Sequence, residues 1–112
     1  MKKELETRIE IISEVLDTNK AENIEVFDLA GKSYIADAVV IASSLGTRHT
    51  EALLDHMKRG LKPAETFLNT EISGDWIVVD LGDIVVHVMT PEYRNKYDME
   101  TFLSEIMSEK QE

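Results

Sequence analysis

Two aspartates on either side of a glycine are the first residues to consider for catalysis. Asp80 and Asp83 flank Gly82 at a predicted turn, and neighbouring carboxylates can hold a hard cation such as Mg²⁺ for phosphoryl transfer. Aspartates also favour turns because their side chains accept hydrogen bonds from nearby backbone N–H groups. A two-metal site would need a third carboxylate and a Gly-Ser turn, but Asp37 precedes a different strand and the turn at 43–47 has no Gly-Ser pair. A metal-dependent nucleotidyltransferase-type enzyme that uses Asp80 and Asp83 therefore stays open as the alternative to a binding protein.

Histidine is the second residue type that suggests chemistry, since its ordinary pKa lies near neutrality. His87 lies in an apolar strand and is a candidate general base or metal ligand. No nucleophile is next to it in the sequence, and a strand histidine is more commonly hydrogen-bonded to the backbone or to a carboxylate. His49 and His56 are seven residues apart on a predicted helix, which separates their backbones by roughly 10 Å. That distance is too long for one shared metal ion, so we predict no metal site. We also predict no cofactor and no catalytic residue, because no complete catalytic set can be assembled around Asp80, Asp83 and His87.

The aromatic residues of the same region suggest binding. Trp76 is the only tryptophan and opens a strand after the polar Gly74-Asp75. The core is the more common place for a tryptophan, but tryptophan, tyrosine and arginine are over-represented at binding hot spots. Tyr93, Arg94 and Tyr97 follow on the next predicted helix. We expect these four side chains to form one exposed surface if that helix packs beside the strands.

A tight β-hairpin must position these residues. Two runs of β-branched residues, 76–81 and 84–89, meet at Gly82, where the turn usually needs a residue with positive φ. Side chains alternate between the two faces of a strand. We therefore expect Trp76 and Asp80 to share one face of their strand, and His87 to lie on the face of the return strand opposite Val86.

The rest of the chain supplies helices and strands around the hairpin. Apolar residues at intervals of three and four predict amphipathic helices, and the segment 37–43, apolar on both faces, predicts a strand inside the sheet. The turn at 43–47 offers backbone N–H groups to an anion, although a helix cap accounts for the same residues. The predicted elements are a helix over 3–18, strands over 24–29 and 37–43, a helix with Thr47 as its N-cap, a short edge strand at Phe67-Leu68, a helix capped by Thr90 before Pro91, and a last helix over 99–109 capped by Asp98.

Composition and charge exclude several classes of protein. With 112 residues the chain forms one domain, and it has no cysteine, which excludes disulfides, thiolate zinc sites and cysteine nucleophiles. Its 22 acidic and 12 basic residues give a formal net charge of −10, a field that repels a polyanion. We expect no direct nucleic-acid site, whereas a basic protein partner is compatible with this charge.

The longest apolar run, 38–42, is too short to cross a membrane, and the first residues lack the apolar centre of a secretory signal. We therefore expect a cytoplasmic protein without membrane contact.

Several short motifs in and around the hairpin follow one another in a characteristic order. They are Asp75-Trp76, Asp80-Leu81-Gly82-Asp83, Val86-His87-Val88-Met89, Pro91-Glu92 through Arg94, and Tyr97-Asp98, with support upstream from Asp37, Val40-Ile41-Ala42, Arg48-His49 and Ala52. These motifs closely resemble the signature of the ribosomal silencing factor family, also called the Iojap family. Two segments that we interpret as loops, Ser44-Leu45-Gly46 and Asn69-Thr70, depart from the family pattern.

The resemblance implies an α/β domain over 1–112, with an α/β core over 24–97 and a mixed β-sheet flanked by helices. It implies further that the fold is similar to the nucleotidyltransferase fold and that the protein has no nucleotidyltransferase activity. The resemblance also implies a translational repressor that binds the large ribosomal subunit through its fourteenth protein, blocks the small subunit sterically, and is a homodimer when free. A homodimeric adaptor without a ribosome link is a further alternative.

We expect eight residues around the contact with the partner. They are Trp76, Leu81, Gly82, Asp83, His87, Pro91, Arg94 and Tyr97. Among them, we expect Trp76 and Tyr97 to be the desolvated anchors, and Asp83 with its acidic surroundings to steer the partner electrostatically.

Overall fold

The computed structural model describes residues 3–32 and 34–108. In chain order the elements are α1 (Lys3–Thr18), β1 (Glu22–Asp28), β2 (Ala38–Ser43), α2 (Thr47–Leu61), β3 (Asn69–Ser73), β4 (Trp76–Asp80), β5 (Ile84–Met89), α3 (Pro91–Tyr97) and α4 (Met99–Met107). Glu109, which the prediction included in the last helix, lies outside the described residues.

The strands form one mixed sheet in the order β1-β2-β5-β4-β3. β2 and β5 are parallel, while the other neighbouring pairs are antiparallel. β4 and β5 form the predicted hairpin, in which Asp80 pairs with Val85 and Gly82 has a φ of +95°. The structure thus confirms the α/β class with a mixed sheet, and it places β5, the return strand of the hairpin, in the middle.

Helices α1 and α2 cover one face of the sheet. Their apolar sides meet the alternate side chains of the hairpin strands, as the periodicity of both predicts. The buried residues of this layer include Leu5, Ile9, Ile12 and Leu16 of α1, Leu53, Leu54, Met57 and Leu61 of α2, and Ile77, Val79, Ile84, Val86 and Val88 of the hairpin.

Helices α3 and α4 lie on the opposite face. α3 packs on β5 and α4 packs on β1, above a second apolar cluster that includes Phe27, Ile41, Met89 and Leu103. Because both faces of β2 are covered, all of its residues are buried, as its continuous apolar run predicts. Among the described residues, no helix is both long and apolar enough to span a membrane.

The predicted edge strand at Phe67-Leu68 is wrong. The edge strand is β3, so Asn69 and Thr70 lie in a strand and not in a loop. Asn, Glu and Ser have little intrinsic preference for strands, and it is pairing with β4, with Ile72 opposite Ile77, that selects this segment. Leu68 precedes the strand and is 63% exposed.

The predicted helix caps need correction as well. Gly46, not Thr47, is the N-cap of α2. Thr90 and Asp98 occupy the predicted N-cap positions of α3 and α4, but in the described chain neither makes a side-chain capping bond. Asp98 Oδ2 instead accepts a hydrogen bond from Thr101 Oγ1 at 2.8 Å. For Asp98 this contact with Thr101 competes with capping, which a local motif does not reveal.

The segment 44–46, which departs from the family pattern, is held by a histidine. The N–H of Leu45 donates to His49 Nδ1 at 2.8 Å, and His49 Nε2 lies 2.8 Å from the carbonyl oxygen of Asn19. Since Nδ1 accepts a hydrogen bond, Nε2 carries the proton and donates it to that carbonyl. His49 therefore stabilises the connection between β2 and α2 and ties it to the end of α1.

Candidate docking surface

Three aromatic rings from two elements meet on the face of the sheet that carries α3. Trp76 opens β4, and Tyr93 and Tyr97 are four residues apart on α3 and so share one side of it. The ring centroids of Trp76 and Tyr97 are 5.0 Å apart, and those of Tyr93 and Tyr97 are 5.9 Å apart, distances at which aromatic rings attract one another. Tyr97 is 49% exposed, and the other two are half-buried. We call Trp76, Tyr93 and Tyr97 the aromatic face.

His87 holds the indole of this face in place. It lies opposite Val78 in the β4–β5 ladder, and Trp76 Nε1–H donates to His87 Nδ1 at 3.1 Å. Burial lowers the pKa of His87 from 6.5 to about 4, so the ring is neutral at pH 7 with Nδ1 free to accept. His87 is itself buried. Its role in this geometry is to orient Trp76, and its 7% exposure leaves little of the ring for a partner to contact.

The aromatic face continues onto the sheet. Trp76, Val78 and Asp80 alternate onto one side of β4 and are all half-buried, whereas α3 and α4 pack on β5 and β1. Lys96 places its ammonium 5.5 Å from the centroid of the Tyr97 ring. The result is a partly apolar surface in which a protein partner can remove ring area from water.

The other end of the hairpin is polar and clamped. We call Leu81, Gly82 and Asp83 the hairpin end. Arg8 of α1 donates from Nη1 to Asp83 Oδ2 at 2.7 Å and from Nη2 to Asp83 Oδ1 at 2.9 Å. The same guanidinium donates to both carboxylate oxygens of Glu65, each at 2.8 Å. The bonds to Glu65 and then to Asp83 raise the pKa of Arg8, and the bond from Arg8 lowers the pKa of Asp83, so both groups are charged at neutral pH.

These contacts do not favour a metal site at Asp80 and Asp83. Asp80 Oδ1 accepts a hydrogen bond from the N–H of Gly82 at 2.8 Å, which is the local turn contact that aspartates favour. Asp83 already faces the positive charge of Arg8. Within residues 3–32 and 34–108, no group of three or more His, Asp or Glu side chains could hold a metal ion. Both carboxylates have structural partners, so the geometry does not support the enzymatic alternative.

The two ends of the hairpin are separate surfaces. Trp76 and Asp80 lie at the two ends of β4, and about 13 Å separates their Cα atoms at about 3.3 Å per residue. Leu81 is buried on the side of α1 and α2. Gly82 is exposed, and a Cβ added to it would lie 3.3 Å from Cδ1 of the exposed Leu68. The structure therefore does not bring all the predicted contact residues into one patch.

Arg94 does not belong to the exposed surface, contrary to the expectation from its sequence position. It is 9% exposed, and its Nη1 donates to the carbonyl oxygen of Asn23 at 2.6 Å and to Ser43 Oγ at 2.9 Å. Its Nε donates to Glu100 Oε1 at 2.6 Å. Pro91, by contrast, is exposed at the first position of α3.

The residues that sequence reasoning missed are those that hold the two surfaces. Arg8 is 75 positions from Asp83, so no local motif links them. Two partners of Arg94, Asn23 and Ser43, are likewise distant in the sequence. Leu68 was assigned to a strand, so its exposure beside Gly82 was not foreseen. One signal was available in the sequence. Arg8 lies beside the apolar stripe of the first helix, a position where the aliphatic part of an arginine packs on the core and its guanidinium forms an ion pair.

Known proteins resemble this chain along most of its length. The family described as "Ribosomal silencing factor during starvation" matches residues 2–112. The ribosomal silencing factor of Haemophilus influenzae is 38% identical over 95 residues, which cover 82% of this chain and 93% of that protein. The Mus musculus protein named "Mitochondrial assembly of ribosomal large subunit protein 1" is 29% identical over 98 residues, which cover 82% of this chain and 43% of that protein. A crystal structure of a Chromobacterium violaceum protein aligns with a TM-score of 0.84 at 28% identity, covering 100% of this chain and 92% of that one.

Proposed function

This chain belongs to the ribosomal silencing factor family, and from that premise we propose that it represses translation by binding the large ribosomal subunit through the subunit's fourteenth protein. Bound there, it excludes the small subunit, since two ligands that need one surface compete for it. The family match over residues 2–112 is the observation that carries the proposal. The name of the mouse relative refers to assembly of the large subunit, which supports the choice of subunit.

The aromatic face is the anchor of the proposed complex. Trp76 and Tyr97 are large, in mutual ring contact and incompletely buried. Truncating such a residue at the centre of an interface typically costs about 2 kcal/mol or more. The contact of Trp76 with His87 fixes the indole before the partner arrives. A side chain that is already ordered loses less conformational entropy on binding, so the preorganised indole raises the affinity for the partner.

The acidic charge favours a basic protein surface as the partner. A net charge of −10 attracts a basic surface over about one Debye length, roughly 8–10 Å at physiological salt, and mainly accelerates association. Asp83 is a weaker steering group than its sequence position suggested, because Arg8 neutralises part of its field. We assign the steering to the acidic surface as a whole.

We propose that the protein catalyses no reaction. Asp80 and Asp83 make turn and ion-pair contacts, and His87 Nδ1 accepts the indole N–H of Trp76. Occupying the intersubunit surface is sufficient for repression, so no chemical step is required.

We propose further that the protein acts in the cytoplasm, where its ribosomal partner is found, and that it forms a homodimer when free. Exposed apolar side chains away from the aromatic face, such as Leu68 and Ile72, support self-association because pairing removes apolar area from water. Analytical ultracentrifugation of the free protein at micromolar concentration tests the second point. Sedimentation as a single 12.7-kDa species would contradict it.

Co-sedimentation with purified ribosomal subunits tests the main proposal. We expect the protein to pellet with large subunits and not with small subunits, and to reduce the yield of joined ribosomes in proportion to its occupancy. Absence from the large-subunit fraction at moderate salt would refute the proposal.

A pair of aromatic truncations tests the assigned surface. Tyr97→Ala should weaken co-sedimentation by about tenfold or more, because its ring is an exposed anchor. Phe102→Ala is the matched control, since this ring is 55% exposed on α4 and makes an edge-on contact with Tyr34. Equal losses in the two variants would show that the aromatic face is not the contact.

A further inference from the structure

We infer that Arg94 is a positioning residue of the docking surface, which holds α3 against the sheet so that Tyr97 is presented beside Trp76. In this role Arg94 does not touch the partner. The effect on binding rests on the proposed function, whereas the effect on the surroundings of Trp76 follows from the fold alone.

Helix α3 cannot hold its own position. It has seven residues, and isolated helices shorter than about 12–15 residues are marginal in water. Within the described chain, Thr90 Oγ1 is buried without a hydrogen-bond partner and does not cap the helix. At the other end the helix stops at Asp98, whose φ is +41°, a left-handed conformation that ends helices, so no further helical turn supports α3 in this direction. Tertiary contacts must therefore keep α3 folded and in place.

Arg94 provides those contacts to three elements at once. On β1 it contacts the carbonyl oxygen of Asn23 from Nη1 at 2.6 Å and the carboxylate of Glu25 from Nη2 at 3.7 Å. On β2 its Nη1 donates to Ser43 Oγ at 2.9 Å. On α4 its Nε donates to Glu100 Oε1 at 2.6 Å. The donors of a guanidinium form a rigid planar fork. One side chain thus fixes the distance and the rotation of α3 relative to the sheet and to α4.

This clamp acts directly on the aromatic face. Tyr97 is three residues from Arg94, less than one helical turn away, and its ring lies 5.0 Å from that of Trp76. A small rotation or fraying of α3 would separate the two rings. Because Arg94 is 9% exposed, a partner has little access to it, so an effect of Arg94 on binding must pass through α3.

Three variants test the inference. Arg94→Met keeps the aliphatic stem and removes every donor of the fork, Arg94→Lys keeps the charge without the fork, and Asn95→Ala changes an exposed neighbour on the same helix. The measurements are the near-ultraviolet circular dichroism and fluorescence of Trp76, amide hydrogen exchange in α3 and β5, and co-sedimentation with large subunits.

For Arg94→Met we expect exchange in α3 to accelerate by about tenfold or more while β5 keeps its protection, because α3 opens locally. The Trp76 signals should change, and large-subunit affinity should fall by about tenfold. Arg94→Lys should be intermediate, and Asn95→Ala should match the unmodified protein. A loss of affinity with unchanged Trp76 signals and unchanged α3 exchange would make Arg94 a contact residue and overturn the inference, as would no change at all.

A second variant covers the case in which Arg94→Met unfolds the domain, visible as lost protection in β5. Glu100→Ala removes one partner of the clamp from the surface of α4, and it should shift the Trp76 signals and α3 exchange in the same direction by a smaller factor. Unchanged signals in Glu100→Ala would overturn the inference. If the unmodified protein fails to bind large subunits, the proposed function fails, while the spectroscopic and exchange results still decide the role of Arg94.

Discussion

Acidification should destabilise the fold through one buried histidine. The pKa of His87 is about 4 in the folded protein against an ordinary value of 6.5, so the unfolded chain takes up this proton first as the pH falls. The contribution of His87 to stability is therefore fully present above pH 6.5 and is lost as the pH falls from 6.5 to 4. At about 1.4 kcal/mol for each pKa unit, the loss amounts to about 3 kcal/mol, a large share of the stability of a small domain.

Urea unfolding followed by fluorescence measures this loss directly, because Trp76 is the only tryptophan and donates its N–H to the titrating ring. The free energy of unfolding should be determined at several pH values between 8 and 4. His87→Gln removes the titration and should flatten the curve between pH 6.5 and 4, while carboxylates titrate in both proteins. His56→Gln, on α2 across the sheet from Trp76, is the control and should keep the original slope. Parallel curves for the unmodified protein and His87→Gln would refute the reasoning.

Three further outcomes are expected. Arg8→Met leaves the buried Glu65 without its partner and should lower the free energy of unfolding by about 1–3 kcal/mol in urea titrations; an unchanged midpoint would show that the clamp contributes nothing. Gly82→Ala should cost about 1–2 kcal/mol because φ is +95°. Gly46→Ala, with an extended backbone and no atom within 4 Å of the added Cβ, should cost less, because only the N-cap preference for glycine over alanine is lost, and a larger cost at Gly46 than at Gly82 would contradict the strain argument. Isothermal titration with Mg²⁺ and nucleoside triphosphates should give no saturable heat; saturable binding that Asp80→Asn abolishes would instead favour the enzyme.

The hairpin and its faces could be predicted because their signals are local. Alternating apolar residues and a glycine at the turn were enough to assign Trp76 and Asp80 to one face of β4 and His87 to the face of β5 opposite Val86, and the structure confirms both assignments. That the two faces coincide on the side away from α1 and α2 follows from the strand register and not from the sequence. An exposed surface that includes Trp76 and Tyr97 was expected on the condition that the helix after Pro91 packs beside the strands, and the contact between the two rings meets that condition.

The parts that could not be predicted depend on long-range pairing. β3 has a weak strand sequence and is selected by its neighbour β4. Arg94 had the residue type of a hot spot, but its carbonyl, hydroxyl and carboxylate partners come from β1, β2 and α4, which no local pattern brings together. The same holds for Arg8, whose acceptors lie 57 and 75 positions away. These distant partners bury Arg94 and explain why it is missing from the exposed surface on which it was expected.

The central position of β5 determines when the docking surface can form during folding. β4 and β5 are adjacent in the chain and can pair early, but β5 also needs β2, and the register of Ala38 with Ile84 requires closure of a loop of about 46 residues. Non-local parallel pairing is intrinsically slow, and α3 follows β5 in the chain. The aromatic rings therefore meet only after α3 has been synthesised and β5 has paired with β2. A nascent chain that has not yet reached Tyr97 has no formed aromatic face.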